Sequence, residues 1–153
     1  MGGACCATRE KDRDGDLPAP LLTGNVFQKF EQSLPFARTY ADTVAKRVRQ
    51  AAEECKQNGT GNGSNVTIEA LRNVFKTPAW ADLAKEDSRV SRLIKHAVFS
   101  KDKGKTIDAN SLILFAILNS PGSAIHKSEV FFSVLQDGGA EIHKFLTAQD
   151  KDI

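Results

Sequence analysis

The stretch from Phe99 to Asn119 constrains this chain most. The spacing predicts a helix that ends at Phe99, then a short polar loop, Ser100 to Thr106, holding one glycine, Gly104. A single β-branched residue, Ile107, follows, and a second helix opens at Asp108. Leu112, Ile113, Leu114, Phe115, Ile117 and Leu118 lie all around that helix, so they cannot share one face. Such a helix is either central and covered on every side or lines a groove.

This helix–loop–helix resembles an EF-hand. Ile107 matches the eighth loop residue, which pairs with a partner loop, and Leu112 matches the apolar residue after the twelfth. The same five-residue step recurs from Val66 to Leu71. The resemblance implies an all-α fold: an EF-hand-like helix–loop–helix pair, with Val66 and Ile107 joined as short antiparallel β-bridges, and additional C-terminal helices. Hand one covers about 36–76 and hand two about 88–119.

The resemblance covers the frame but not the ligands. A calcium loop needs oxygen side chains at positions 1, 3, 5 and 12 and glycine at 6. With Ile107 at position 8, those ligand positions hold Ser100, Asp102, Gly104 and Ser111, and Lys105 replaces the glycine. Lys101, Lys103 and Lys105 crowd the one carboxylate and repel a divalent cation. Ser100, Asp102 and Asp108 are the weak metal candidates. In the first loop the ligand positions hold Gly59, Gly61, Gly63 and Ala70, none with a side-chain oxygen. No cofactor is expected, and any calcium binding is lost or weak.

Bulk properties exclude several classes. The 153 residues suit one domain with a real core, and 41% apolar with 26% charged is a soluble globular composition. A net charge of +2 gives no footprint for nucleic acid. No window holds the roughly 18 apolar residues of a membrane span, and no secretory signal is expected. The three cysteines, Cys5, Cys6 and Cys55, lack paired C-x-x-C spacing. In the cytosol they stay reduced, and the three N-x-S/T sequons at Asn58, Asn62 and Asn65 are inert.

Met1-Gly2-Gly3-Ala4-Cys5-Cys6 reads as an acylation signal. Gly2 is the site for myristate, and Cys5 or Cys6 for palmitate, although Cys6 replaces the usual Ser or Thr. One myristoyl chain binds membrane only marginally, so a second signal is needed. Met1 to Pro20 carries Arg9, Lys11 and Arg13 against Glu10, Asp12, Asp14 and Asp16, a net of −1, so that signal is a second acyl chain rather than a basic patch. Residues 1–24 are therefore expected to be an acylated, disordered tether, and 25–153 the helical domain. Asp12 to Asp16 mimics a calcium-loop fragment but has Leu17 where glycine belongs, and it reads as a solvated charge run.

Val26, Phe27, Phe30 and Leu34 suit one face of a short helix that Pro35 breaks. A long helix from Phe36 to about Gln57 carries the stripe Phe36, Tyr40, Val44, Val48, Ala52 and Cys55. Arg38, Lys46, Arg47 and Arg49 fall off that stripe and read as solvated. Thr77 and Pro78 start a short turn bearing Trp80, the only tryptophan, which is expected to pack between the hands. Asp87 or Ser88 caps the next helix, with Val90, Leu93, Ile94, Ala97 and Phe99 on its apolar face. Helices are expected at about 123–136 and 141–149 beyond the pair.

No catalytic motif occurs, and His96, His126 and His143 are scattered without an H-x-x-x-H pair, so the chain is read as no enzyme. The layout is similar to that of acylated EF-hand proteins of the recoverin-like and calcineurin B-like kinds. That resemblance implies a groove for an amphipathic partner helix, here assigned to Leu112, Phe115, Ile117 and Leu118. Two functions remain open. One is a membrane-anchored adaptor on the cytoplasmic face that binds a protein partner. The other is a calcium sensor with unusual loops.

Overall fold

The computed structural model describes residues 14–137. The fold is all-α with one two-stranded bridge. α1 is Val26–Ser33, followed by a 3-10 turn, Pro35–Arg38, and α2, Ala41–Gln57. Then come β1, Asn65–Val66, α3, Ile68–Val74, and a second 3-10 turn, Pro78–Ala84. α4 is Arg89–Ile94, β2 is Ile107–Asp108, α5 is Ala109–Asn119 and α6 is Ala124–Asp137.

β1 and β2 pair antiparallel, with Val66 opposite Ile107 and Asn65 opposite Asp108. Both apolar partners are fully buried. The expected bridge is thus present in the expected register. Each strand feeds directly into a helix through a capping side chain. Thr67 accepts the Ala70 N–H in the first unit, and Asp108 accepts the Ser111 N–H in the second. Leu71 and Leu112, five residues after the bridge residues, are both buried.

α2 is the hub. Ala41, Val44, Ala45, Val48, Ala51, Ala52 and Cys55 are buried along it, at helical spacing. It packs against α3, α5, α6 and β1. It starts later than expected, because Phe36 belongs to the 3-10 turn and Thr39 and Tyr40 are extended. Thr39 holds that break. Its hydroxyl donates to the Pro35 carbonyl at 3.1 Å and accepts the Trp80 indole N–H at 2.8 Å. Trp80 stacks on Phe75 with centroids 4.1 Å apart and meets Phe36 edge-on at 5.0 Å.

Four expectations need correction. α4 ends at Ile94, not Phe99, and Ala97 is exposed. The exposed His96 accepts the Val98 N–H on its own ring nitrogen, which competes with helix continuation, and a turn then closes from Phe99 N–H to the His96 carbonyl. α1 forms with a capping box from Asn25 and Gln28, yet buries no residue, and Val26, Phe27 and Phe30 are exposed. The arginines off the α2 stripe are not simply solvated. Arg38 Nε donates to the Leu17 carbonyl, Arg47 donates to the Asp14 carbonyl and lies over the Phe75 ring, and Arg49 donates to Ser133. Residues 14–17 are for that reason bound to the body rather than a free tether. The Leu17 N–H donates to the Arg38 carbonyl, and an Asp16 carboxylate oxygen accepts the Ala79 N–H. Gly2, Cys5, Cys6 and the helix expected at 141–149 lie outside the described residues. No helix among the described residues is long and apolar enough to cross a membrane.

Candidate functional site

The loop between α4 and α5 is closed on itself. Ser100 is buried, and its hydroxyl donates to Asp102 Oδ1 at 2.9 Å and accepts the Gly104 N–H at 2.7 Å. Asp102 Oδ1 also accepts the Thr106 N–H at 2.8 Å, and Oδ2 accepts the Thr106 hydroxyl at 2.7 Å. The Thr106 N–H and hydroxyl hold the Asp102 carboxyl at about 2, below its ordinary 3.8. Lys103 and Gly104 both take left-handed backbone, at φ 61° and 93°. That turn brings Thr106 back over Asp102. A side chain at Gly104 would be strained by its φ and would press on Lys95, 2.9 Å from the new Cβ.

Asp108 serves a separate task. Its Oδ2 accepts both the N–H and the hydroxyl of Ser111, at 2.9 and 2.6 Å, and so caps α5. Ser100 and Asp102 therefore share one network, and Asp108 belongs to another. Among the described residues no group of three or more His, Cys, Asp or Glu side chains is placed to hold a metal. A calcium ion would need several oxygen ligands converging on it. Of the two carboxylates in this loop, Asp108 caps α5 and the two oxygens of Asp102 already accept three hydrogen bonds, while a glycine stands where a ligand side chain belongs. The residues do not fit calcium.

The first loop matches the second at one backbone corner but not in chemistry. Gly63 stands three residues before Val66, as Gly104 does before Ile107, and both have φ 93°. The two glycines thus stand at equivalent positions, although Lys103 before Gly104 is left-handed and Asn62 before Gly63 is not. In sequence alone each glycine was aligned with a missing ligand. The backbone gives them a positive role, because φ near +90° favours glycine at the corner of the turn.

The groove expected on α5 is largely filled. Leu112 is 2% exposed and belongs to the core, so a partner would not reach it in this conformation. Phe115 and Ile117 are half-buried and pack against the core. The Phe115 ring meets Phe36 and Phe99 edge-on at 4.9 and 5.5 Å. Leu118 alone of the four is open, at 81% exposure. α6 packs on α5 with Val130 and Val134 buried, and leaves Ile125, Phe131 and Phe132 exposed. The all-round apolar character of α5 thus reflects a central helix covered on most sides. Sequence reading missed the exposed aromatic residues of α6, because periodicity marks an apolar face without saying what covers it. It also missed the clip at residues 14–17, whose Asp-rich run was set aside as solvated charge.

No protein-family model, no curated protein and no solved structure matches the chain.

Proposed function

We propose that the chain is an EF-hand-shaped adaptor, held at the cytoplasmic face of a membrane by acyl groups on Gly2 and on Cys5 or Cys6, with calcium binding lost. The observation that carries this reading is the Val66–Ile107 bridge between two helix–loop–helix units whose loops lack a ligand set. In calcium sensors, ion binding opens such units and exposes an apolar groove. Here the second loop is held by Ser100, Asp102 and Thr106 among themselves, a role that an ion would otherwise fill.

The partner is a protein helix with an apolar face. Leu118 at the end of α5 and the exposed Ile125, Phe131 and Phe132 on α6 supply apolar surface that could receive it. Phe115 and Ile117 lie partly accessible behind them on α5. The exposed Leu21, Leu22, Val26 and Phe27 follow the acyl sites along the chain, which suits a surface held near lipid. The test is capture of a helical partner from source membranes by the wild type and by Leu118→Asp with Phe132→Asp. Both substitutions fall on exposed residues and should leave the fold intact. Loss of the captured protein supports the adaptor reading, and unchanged capture removes this surface from it.

A further inference from the structure

The Asp16 carboxylate has a consequence two residues along the second 3-10 turn. It accepts the Ala79 N–H at 2.8 Å, a donor that the Thr77 hydroxyl would otherwise cap. The Trp80 N–H is taken by the Thr77 carbonyl at 3.0 Å. The Thr77 hydroxyl is left shielded from solvent with no hydrogen-bond partner. Arg72 is in the same position. Its Nε is fixed on the Leu83 carbonyl at 2.8 Å, while one terminal nitrogen, Nη2, is shielded and has no partner.

Both residues line one pocket of about 280 Å³. Lys76 adds a second cation at its rim, and no Asp or Glu lines it. Phe75, Trp80 and Leu83 form apolar walls. Arg47 lies against the Phe75 ring, 5.8 Å from its centroid, and adds positive charge nearby. Polar groups left unpaired out of water are costly, and an acceptor that satisfies them is favoured. A guanidinium fixed at its Nε and a hydroxyl lining the same pocket suit a planar, two-oxygen anion.

From this arrangement we infer that the pocket binds a carboxylate joined to a compact apolar group. On binding, the Arg72 and Thr77 side chains turn their shielded donors to the carboxylate, which faces Lys76. The apolar part rests on the exposed Pro78, Ala81 and Ala84, with the buried Trp80 and Phe75 beneath them. The source is either a free organic acid or the C-terminal residue of a peptide, since both present the same chemistry. The inference does not depend on the acyl anchor or on the loop between α4 and α5.

Trp80 is the only tryptophan and forms a wall of the pocket, so its fluorescence reports occupancy. The full chain is titrated at low salt with cyclohexanecarboxylate and with cyclohexanecarboxamide. It is titrated in parallel with N-acetyl-leucine and N-acetyl-leucinamide. At least one acid should bind saturably and about tenfold or more tighter than its amide. The tighter acid identifies the source, a free acid or a peptide end. Lys76→Gln, on an exposed side chain, and Thr77→Val should each weaken that acid several-fold while leaving its amide unchanged. Arg72→Gln should abolish the preference for the acid, and Arg72→Lys should restore part of it. Equal binding of acids and amides overturns the inference, as does an acid affinity unchanged by Lys76→Gln and Thr77→Val.

Discussion

Thr39 and Asp102 show how single side chains set this fold. Thr39 is buried between the first 3-10 turn and α2, donating to one backbone carbonyl and accepting from the Trp80 indole. Thr39→Val keeps the shape but leaves a buried indole N–H and a buried carbonyl without this partner. The expected loss is about 1–3 kcal/mol in urea unfolding. Asp102 is tied to Thr106 by two hydrogen bonds that favour its ionised form. Its folded pKa of about 2 lies below the ordinary 3.8, so its contribution to stability is present above the ordinary value. That contribution is lost as pH falls through about 2. A carboxyl NMR titration should give a midpoint near 2, and Thr106→Val should move it upward toward 3.8. A midpoint near 3.8 in the wild type would show that the loop is not closed in this way.

At the scale of elements, the bridge and α1 make opposite predictions. Ile107 is fully buried in the bridge, so Ile107→Ala should cost about 2–5 kcal/mol. Phe27, of similar apolar character, is 79% exposed, so Phe27→Ala should stay within about 0.5 kcal/mol of wild type. Thermal unfolding of the two variants separates them. The contrast also shows what the sequence could reveal. Val66 and Ile107 were legible because each is the first apolar residue after a polar loop and is β-branched, with the same step to a buried leucine. The α2 stripe was legible because eight of its seventeen residues are buried with helical periodicity. The cover over α1 was not legible, since an amphipathic helix has the same pattern whether its apolar face is packed or bare. The end of α4 was hidden too, because it is set by a His96 ring bonding to nearby backbone rather than by a proline or glycine.

At the scale of the whole molecule, one face of the chain is fastened by residues distant in sequence. Asp14, Asp16 and Leu17 meet Arg47, Ala79 and Arg38. No local pattern announces such pairing, because each contact joins groups 21 to 63 residues apart in sequence. The candidate site was legible in part. The poverty of ligands in both loops could be read directly, whereas the hydrogen bonds that replace them depend on the left-handed turn at Lys103 and Gly104. In the proposed reading, acylation brings this body to the membrane. Gly2→Ala should therefore shift it to the soluble fraction of source cells, and Cys5→Ser with Cys6→Ser should leave it only transiently bound. Full membrane retention of Gly2→Ala would place the anchor elsewhere.

The central claim is that the two helix–loop–helix units are paired without calcium. Cross-strand NMR contacts between Val66 and Ile107, recorded on the full chain in chelator and then in excess calcium, test it most directly. The account predicts these contacts in chelator, with slow amide exchange at the bridge and no shift of the Ser100–Asp108 resonances when calcium is added. Contacts that form only with calcium, or loop resonances that move saturably with it, would contradict the account and restore the sensor reading.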